Sequence, residues 1–249
     1  MKRLLVIGSP IILIAIGYVG IVLLTLPDVE PLRHKNPPVT ALMEQRAMER
    51  HRSVRPILGW VPYNNISPHL RNAVLIAEDS AFFQHPGYDL EEFKESVKRN
   101  WREKRFARGA STITEQLAKN LYLSTSKNPL RKVREFFIAQ ELEERLSKQR
   151  IFEIYLNVIE WGDQIYGIEP AAQTYFGKSP SELLPEEAAV LAAMIPNPRR
   201  YTPSRASAYL EKRKVDILSR LVRYNYLDKE EYEAARSRPV VFRPLSQVQ

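Results

Sequence analysis

Cysteine is absent from the sequence, and this absence removes several kinds of chemistry at once. Without it the chain can form no disulfide framework, no thiolate nucleophile and no cysteine-bound zinc site. Any catalysis must therefore use oxygen or nitrogen groups. No repeat of solenoid period is evident either, and only residues 240–242 resemble a β-strand.

Positive charge is in excess. The sequence has 37 Lys and Arg against 29 Asp and Glu, a formal net charge of +8. This excess suits a polyanionic partner, which could be nucleic acid, anionic lipid headgroups or a phosphate-bearing substrate. Hydrophobic residues make up 44% of the chain, so a packed core is expected for most of it.

Residues 4–26 form a run without a charged side chain. At about 1.5 Å per residue a helix of this length reaches about 35 Å, enough to cross a hydrocarbon core of roughly 30 Å. We predict a cytoplasmic tip and transmembrane anchor in residues 1–27, with the rest of the chain outside the cytoplasm and no nucleic-acid partner. A cleaved signal peptide is the alternative, although the run is long for one and lacks a small-x-small cleavage site.

The remaining chain predicts a short linker followed by one mainly α domain. Residues 28–39 are polar and proline-rich and are interpreted as an extended linker, and residues 40–249 as the domain. Helix starts are indicated by residues that favour the N-cap or the first turn, namely Ser67, Pro68, Thr112, Asn128, Pro129, Ser147 and Pro185.

Two adjacent acids, Glu78 and Asp79, end the first of these helices. An acid at this end meets the negative pole of the helix dipole, so stability does not explain it. Apolar neighbours, including Phe82, would partly desolvate Glu78 and suit it to act as a general base. The alternative is that both acids are solvated or paired with a nearby Arg. His85, just beyond, is expected to have a structural role.

Residues 108–120 lead through a Gly-Ala pair into a helix rich in hydroxyl groups at its start. Free backbone N–H groups at such an end can hold phosphate oxygens, and Lys119 lies two turns in. An ordinary capped helix, with Thr112 and Glu115 as a capping box, is the alternative. No Gly-Lys-Ser/Thr follows, so this is not a Walker loop.

Residues 127–135 place four cations around a single acid, Glu135. Arg131 and Glu135 are four residues apart, so a surface ion pair is the simplest interpretation. The excess of cations also fits a pyrophosphate, with Glu135 positioning them or a divalent metal.

Taken in order, these segments resemble the peptidoglycan glycosyltransferase family, which includes the polymerase module of class A penicillin-binding proteins and monofunctional biosynthetic transglycosylases. The likeness runs from about residue 76 to residue 203. It continues through residues 142–162, 167–178 and 184–203.

The resemblance implies a lysozyme-like, two-lobed, mainly α fold that polymerises lipid II with loss of undecaprenyl diphosphate. Glu78 matches the general base, and Glu135 the acid that organises the leaving group. Substrate-binding positions carried over from the family are Asp79, Ser111, Thr112, Gln116, Lys119, Asn120, Lys127, Arg131 and Lys132. No cofactor is required by this chemistry, and Mg²⁺ or Mn²⁺ is an option at Glu135. The basic, aromatic residues 93–106 would form the jaw lobe at the membrane, with a solvated helix face as the alternative.

Three positions depart from the family pattern. Ala110 replaces a common glycine, Lys127 a frequent arginine, and Glu115 the usual glutamine. Glu115 adds negative charge near the anion site, and its capping-box role, with the carboxylate turned back to the Thr112 backbone, would account for it.

The implied partners are lipid II, the growing glycan strand, a membrane crossed once, and division or elongation proteins. We expect the domain on the periplasmic side of the inner membrane. A glycan-cleaving lytic transglycosylase or muramidase is the main rival, and a non-catalytic scaffold is another. The chain length argues against a bifunctional penicillin-binding protein, so the Ser-x-x-Lys pattern at residues 124–127 is interpreted as coincidence.

Overall fold

The computed structural model describes residues 13–14, 16–88, 111–126 and 128–243. The structure is mainly helical, and its described residues include one small β-hairpin. The elements of the folded domain, in chain order, are α1 (Ala41–Met48), α2 (Pro68–Glu78), α3 (Ile113–Tyr122), α4 (Pro129–Arg145), α5 (Lys148–Val158), β1 (Glu160–Gly162), β2 (Ile165–Tyr166), α6 (Ile168–Phe176), α7 (Pro185–Met194), α8 (Ser207–Arg223) and α9 (Lys229–Ser237).

Most helices begin where the sequence predicts. The side chains of Thr112, Asn128 and Ser147 each accept a hydrogen bond from a backbone N–H in the first turn, so these three N-caps are confirmed. The predicted cap at Ser67 is wrong, although α2 does begin at Pro68. Ser67 is tied instead to a distant segment, because its hydroxyl donates to the Leu183 carbonyl at 2.9 Å.

Helix α7 is the centre of the core. Every residue from 188 to 194 is buried, and α2 and α8 pack against this helix. A helix that is apolar on all sides requires neighbours all round it. A second layer is formed by α3 packed between α4 and α5, with Phe152, Tyr155 and Trp161 fully buried nearby. This second layer carries the residues that the sequence marks as functional.

The N-terminal region differs from its sequence interpretation in one respect. Residues 28–39, predicted to be an extended linker, pack on the domain: Val29 and Leu32 are buried in the core. Arg150 holds the segment by donating to the Leu32 carbonyl at 2.8 Å. Apolar side chains between the prolines, together with this long-range bond, are the reason that the segment does not stand free.

Residues 16–24 are helical and expose several apolar side chains. Within the described residues, no helix has both the length and the apolar character needed to cross a bilayer. Much of the predicted anchor, residues 4–12 and 15, lies outside the described residues, as does the predicted jaw segment, residues 93–106.

The β1–β2 hairpin was not predicted, whereas the strand expected at residues 240–242 does not form. The ring of Phe242 instead stacks on the ring of Phe176, with 5.5 Å between the ring centroids. After the hairpin, Gly167 has a φ of +84°, and a Cβ there would lie 2.7 Å from the Asn157 carbonyl oxygen. Only glycine fits this approach.

Asn157 joins α5 to the loop before α2. Its side-chain N–H donates to the Val61 carbonyl at 2.8 Å, and its side-chain oxygen accepts from the Val61 N–H at 2.9 Å.

Because both groups are buried, Asn157→Ala leaves two polar atoms of Val61 without partners. We expect a loss of about 2–4 kcal/mol in the free energy of unfolding, a fall in Tm of roughly 5–15 °C. Thermal unfolding measures this fall in Tm, and Asn64→Ala, at an exposed position, is the control. Equal Tm values for the two variants would contradict the account.

Candidate functional site

The site begins at the junction between α2 and α3. The Asp79 carboxylate, which follows directly after Glu78, accepts a hydrogen bond from the Ile113 N–H at 3.0 Å and is bonded to His85 Nε2 at 2.9 Å. Ile113 is the first residue of α3, so this carboxylate occupies the positive end of that helix. The bond locks the end of α2, and with it Glu78, against the start of α3.

His85 completes this junction. Its Nδ1 accepts from the Gly87 N–H at 3.1 Å, which leaves Nε2 as the protonated nitrogen that donates to Asp79. The predicted structural role of His85 is therefore confirmed. Asp79 is buried among these protein groups, with 3% of its side chain exposed. The structure gives Asp79 a positioning role, and its direct contact with substrate stays a prediction.

Glu78 is half-buried and faces Gln116 on α3. The Gln116 side-chain N–H donates to Glu78 Oε2 at 2.9 Å, and the opposite end of the amide accepts from the Tyr155 hydroxyl at 3.0 Å. The same N–H group also lies 3.3 Å from the Ser111 carbonyl oxygen. Reversing the amide would place its oxygen against two other oxygens, so the three side chains fix one another.

Tyr155 donates to Gln116, which donates to Glu78, and this series of hydrogen bonds is here called the relay. Burial, reinforced by the nearby Glu78 and Asp79 carboxylates, raises the pKa of Tyr155 well above its ordinary value. The phenol therefore stays protonated over the working pH range and can only donate toward the amide oxygen. This holds the Gln116 N–H on the Glu78 carboxylate.

The second acid, Glu135, lies in α4 among cations. It is 2% exposed, and its two oxygens contact Arg131 and Lys132, the latter at 2.6 Å. The predicted pair between Arg131 and Glu135 is thus present. Lys132 also donates to Ser111 Oγ at 3.1 Å, which connects α4 to the start of α3.

Glu115 corrects one prediction. Thr112 caps α3 by accepting from the Glu115 N–H at 3.2 Å, but the Glu115 carboxylate does not complete a capping box with the Thr112 backbone. It contacts Lys132 at 2.7 Å instead. Burial alone would lower the pKa of Lys132, but the hydrogen bonds with Glu115 and Glu135 outweigh it and raise that pKa. A bond to a cation on another helix wins over the local cap because it neutralises a buried charge.

The charges of both acids act on Lys119. Burial lowers its pKa below the ordinary 10.5, and the charges that act on it are, in decreasing order, those of Glu135, Arg131, Lys132 and Glu78. Both carboxylates thus influence the pKa of this one lysine. The two acids, far apart in the sequence, are brought to the same surface of α3.

A cavity of about 210 Å³ opens beside this surface. Gln116, Lys119 and Asn120 line it, and their binding of substrate stays a prediction. Sequence reasoning missed Tyr155 and Glu160 on its other side. Both lie in the segment 142–162 that carried the family resemblance, but their roles depend on contacts with α3. Lys127 falls outside the described residues.

A divalent metal finds no evident ligand set here. Among the residues with described positions, no three or more His, Asp or Glu side chains come together in a way that could hold one. The acid proposed to bind a metal, Glu135, has both oxygens on cations. The donor groups present do not fit such an ion, so no step is assigned to it.

Comparisons with known proteins show which family the chain belongs to. A family model described as Transglycosylase matches residues 45–222. "Biosynthetic peptidoglycan transglycosylase" of Nitrosospira multiformis is 45% identical over 189 residues, 75% of this chain and 82% of the relative. The protein of the same name from Nitrosomonas eutropha is 47% identical over 76% and 79%. The crystal structure of penicillin-binding protein 1A from Haemophilus influenzae superposes with a TM-score of 0.36 at 28% identity, covering 63% of this chain and 18% of that one.

The lowered pKa of Lys119 predicts a pH dependence of anion binding. Lys119 attracts phosphate only when protonated, so affinity for inorganic pyrophosphate falls as pH rises through this lowered pKa, earlier than an ordinary lysine with a pKa of 10.5 would allow. Lys119→Arg keeps its charge and should move the loss to higher pH. An NMR titration of the lysine side chains, with binding measured in parallel, checks both. Titration of Lys119 at or above 10.5 would contradict the assignment.

Proposed function

Because the chain belongs to the transglycosylase family and polymerises the glycan strands of peptidoglycan, we propose that Glu78 is its general base and Glu135 the acid that organises the leaving diphosphate. The observation that carries this proposal is that both acids act at one place on α3. Gln116 donates to Glu78, Arg131 and Lys132 contact Glu135, and the charges of both acids act on Lys119.

The reaction joins two lipid-linked sugars. The 4-hydroxyl oxygen of the acceptor lipid II forms a bond to the anomeric carbon of the donor, whose bond to the lipid diphosphate breaks, and the hydroxyl proton goes to Glu78. A base is needed at the nucleophile and positive charge at the departing oxygens. An enzyme that cleaves glycosidic bonds needs instead an acid for a neutral leaving group.

The base assignment is supported by the relay behind Glu78. Gln116 holds one carboxylate oxygen, and Tyr155 holds Gln116, so the carboxylate is oriented before substrate arrives. Preorganisation of this kind lowers the barrier without a cost at the moment of reaction. Ser111 and Thr112, at the start of α3, would line the same cleft.

The leaving-group assignment is supported by the cluster around Glu135. Lys119, Arg131 and Lys132 would hold the diphosphate, together with Asn120 and Lys127. Glu135 keeps Arg131 and Lys132 close together despite their mutual repulsion. A diphosphate entering this cluster would compete with Glu115 for Lys132, whose flexible side chain can serve either.

A membrane position fits the same geometry. The hydroxyl of Tyr18 donates to the Leu130 carbonyl at 2.7 Å, so the apolar N-terminal helix reaches the first turn of α4 beside the cations. Lipid II carries its diphosphate at the membrane surface. We propose that residues 1–27 form a single-pass inner-membrane anchor and that residues 40–249 form a lysozyme-like, two-lobed domain on the periplasmic side. Division or elongation proteins are proposed as further partners.

Replacing Glu78 tests the base directly. Glu78→Gln keeps the shape of the side chain but cannot accept the proton, so polymerisation of purified lipid II should fall by at least about 100-fold. Folding and substrate binding should be retained. The control is Glu144→Gln, an exposed acid of α4. Substantial polymer from Glu78→Gln, sized by gel electrophoresis, would refute the assignment.

The relay makes a separate prediction. Tyr155→Phe removes the donor that orients Gln116, so kcat should fall by about fivefold to tenfold, as expected for loss of one hydrogen bond worth about 1 kcal/mol. KM should change little because Tyr155 acts through Gln116. Tyr175→Phe, which removes a bond to the Trp161 carbonyl away from the site, is the matched control. A change in KM with unchanged kcat would argue against a positioning role.

A further inference from the structure

The catalytic cavity continues into a second, larger one. The first is lined by Gln116 and Lys119, and it shares Arg46, Asn197 and Arg199 with a neighbouring cavity of about 1170 Å³. The second cavity follows residues 199–209, between the end of α7 and the beginning of α8. The second cavity adjoins the first at these shared residues and is here called the arginine groove.

The arginine groove carries an excess of positive charge. Arg46, Arg199, Arg200 and Arg205 line it together with one acid among the described residues, Asp163. Asp163 already contacts Arg50 and lies 3.5 Å from Arg199, so it is shared. Arg200 and Arg205 are exposed. Arg46 and Arg199 are balanced by Glu49, Glu160 and Asp163. The exposed Arg200 and Arg205 are therefore the charges that suit a ligand with carboxylates of its own.

Aromatic rings occupy the same groove. Tyr201 and Tyr209 are stacked with their ring centroids 4.0 Å apart and an angle of 20° between the planes. The Arg200 guanidinium lies 6.0 Å from the centroid of Tyr201. Flat aromatic surfaces beside polar groups are typical of sites that take amphipathic ligands such as sugars.

The direction of the groove limits what can enter it. None of its described lining residues belongs to α4, the helix that contributes Arg131, Lys132 and Glu135. The lipid diphosphate is proposed to lie on that α4 side. A ligand in the arginine groove therefore extends away from the lipid, as the already polymerised part of a donor strand must.

We propose that the arginine groove binds the growing glycan strand, and that Arg200 and Arg205 take the free carboxylates of its stem peptides. This inference rests on the proposed function, because it assumes that the diphosphate occupies the Lys119–Lys132 cluster. Contact with the peptides retains the strand between successive additions. It is not required for the first coupling of two lipid II molecules, which have no polymerised strand to retain.

The experiment pairs a change in the protein with a change in the substrate. The double variant Arg200→Gln/Arg205→Gln removes the two charges, and Arg223→Gln/Lys229→Gln removes two exposed charges from the far end of α8 and the start of α9 as the control. Each full-length protein is given lipid II with its complete stem peptide, or an analogue without the peptide. The rate of the first coupling and the distribution of strand lengths are measured, and thermal unfolding confirms folding.

On complete lipid II we expect the groove variant to make strands about threefold shorter, a loss consistent with exposed ion pairs, with its first coupling unchanged. On the peptide-free analogue, wild type and variant should give equal lengths. Unchanged strand length on complete lipid II, or equal shortening on both substrates, would overturn the proposal. Failure of the base assignment would show itself differently, as polymer made by Glu78→Gln, and it would not alter this comparison of lengths.

Discussion

One buried carboxylate sets the geometry of the site. Asp79 ends α2 and at the same time accepts from the first N–H of α3, with His85 holding its position. A charged hydrogen bond at a helix start is worth more than a neutral one, because the unpaired N–H groups and the helix dipole both favour the anion. Glu78 immediately precedes Asp79, so the backbone of the candidate base is held at this junction.

Helix α3, which begins at that junction, carries the side chains that face the two acids. Gln116 and Lys119 are three residues apart and so lie on one face of the helix, where Gln116 reaches Glu78 and Lys119 feels both acids. Lys132, from α4, balances Glu115 and Glu135 at the other side. The two carboxylates are thereby both tied to α3, Glu78 through Gln116 and Glu135 through Lys132, which donates to Ser111 beside the start of that helix.

Local chemistry made much of this predictable. N-caps at Thr112, Asn128 and Ser147 follow from side chains that bond within their own turn, which the sequence alone shows. Predictions failed where a partner from far along the chain took over, as Lys132 did for Glu115 and the 180–183 segment did for Ser67. The burial of Val29 and Leu32 belongs to the same class, because only the folded domain offers them a core.

The residues of the site follow the same division between local signals and long-range partners. Glu78, Gln116, Lys119 and Lys132 could be chosen because each stands in a motif with recognisable chemistry. Tyr155 could not, since a tyrosine in a buried helix usually only fills space, and its role here depends on an amide 39 residues away. The arginine groove was hidden for a similar reason, as Arg46 and Asp163 meet residues 199–209 only in the folded chain.

The central claim is that the base, Glu78, and the leaving-group site at Glu135 are separate. A crystal structure of the full-length protein with a non-hydrolysable lipid II analogue would test it most directly. The account predicts the diphosphate on Lys119, Arg131 and Lys132, and the acceptor 4-hydroxyl within hydrogen-bond distance of Glu78. A diphosphate bound away from these cations, or a 4-hydroxyl facing Glu135 instead, would contradict it.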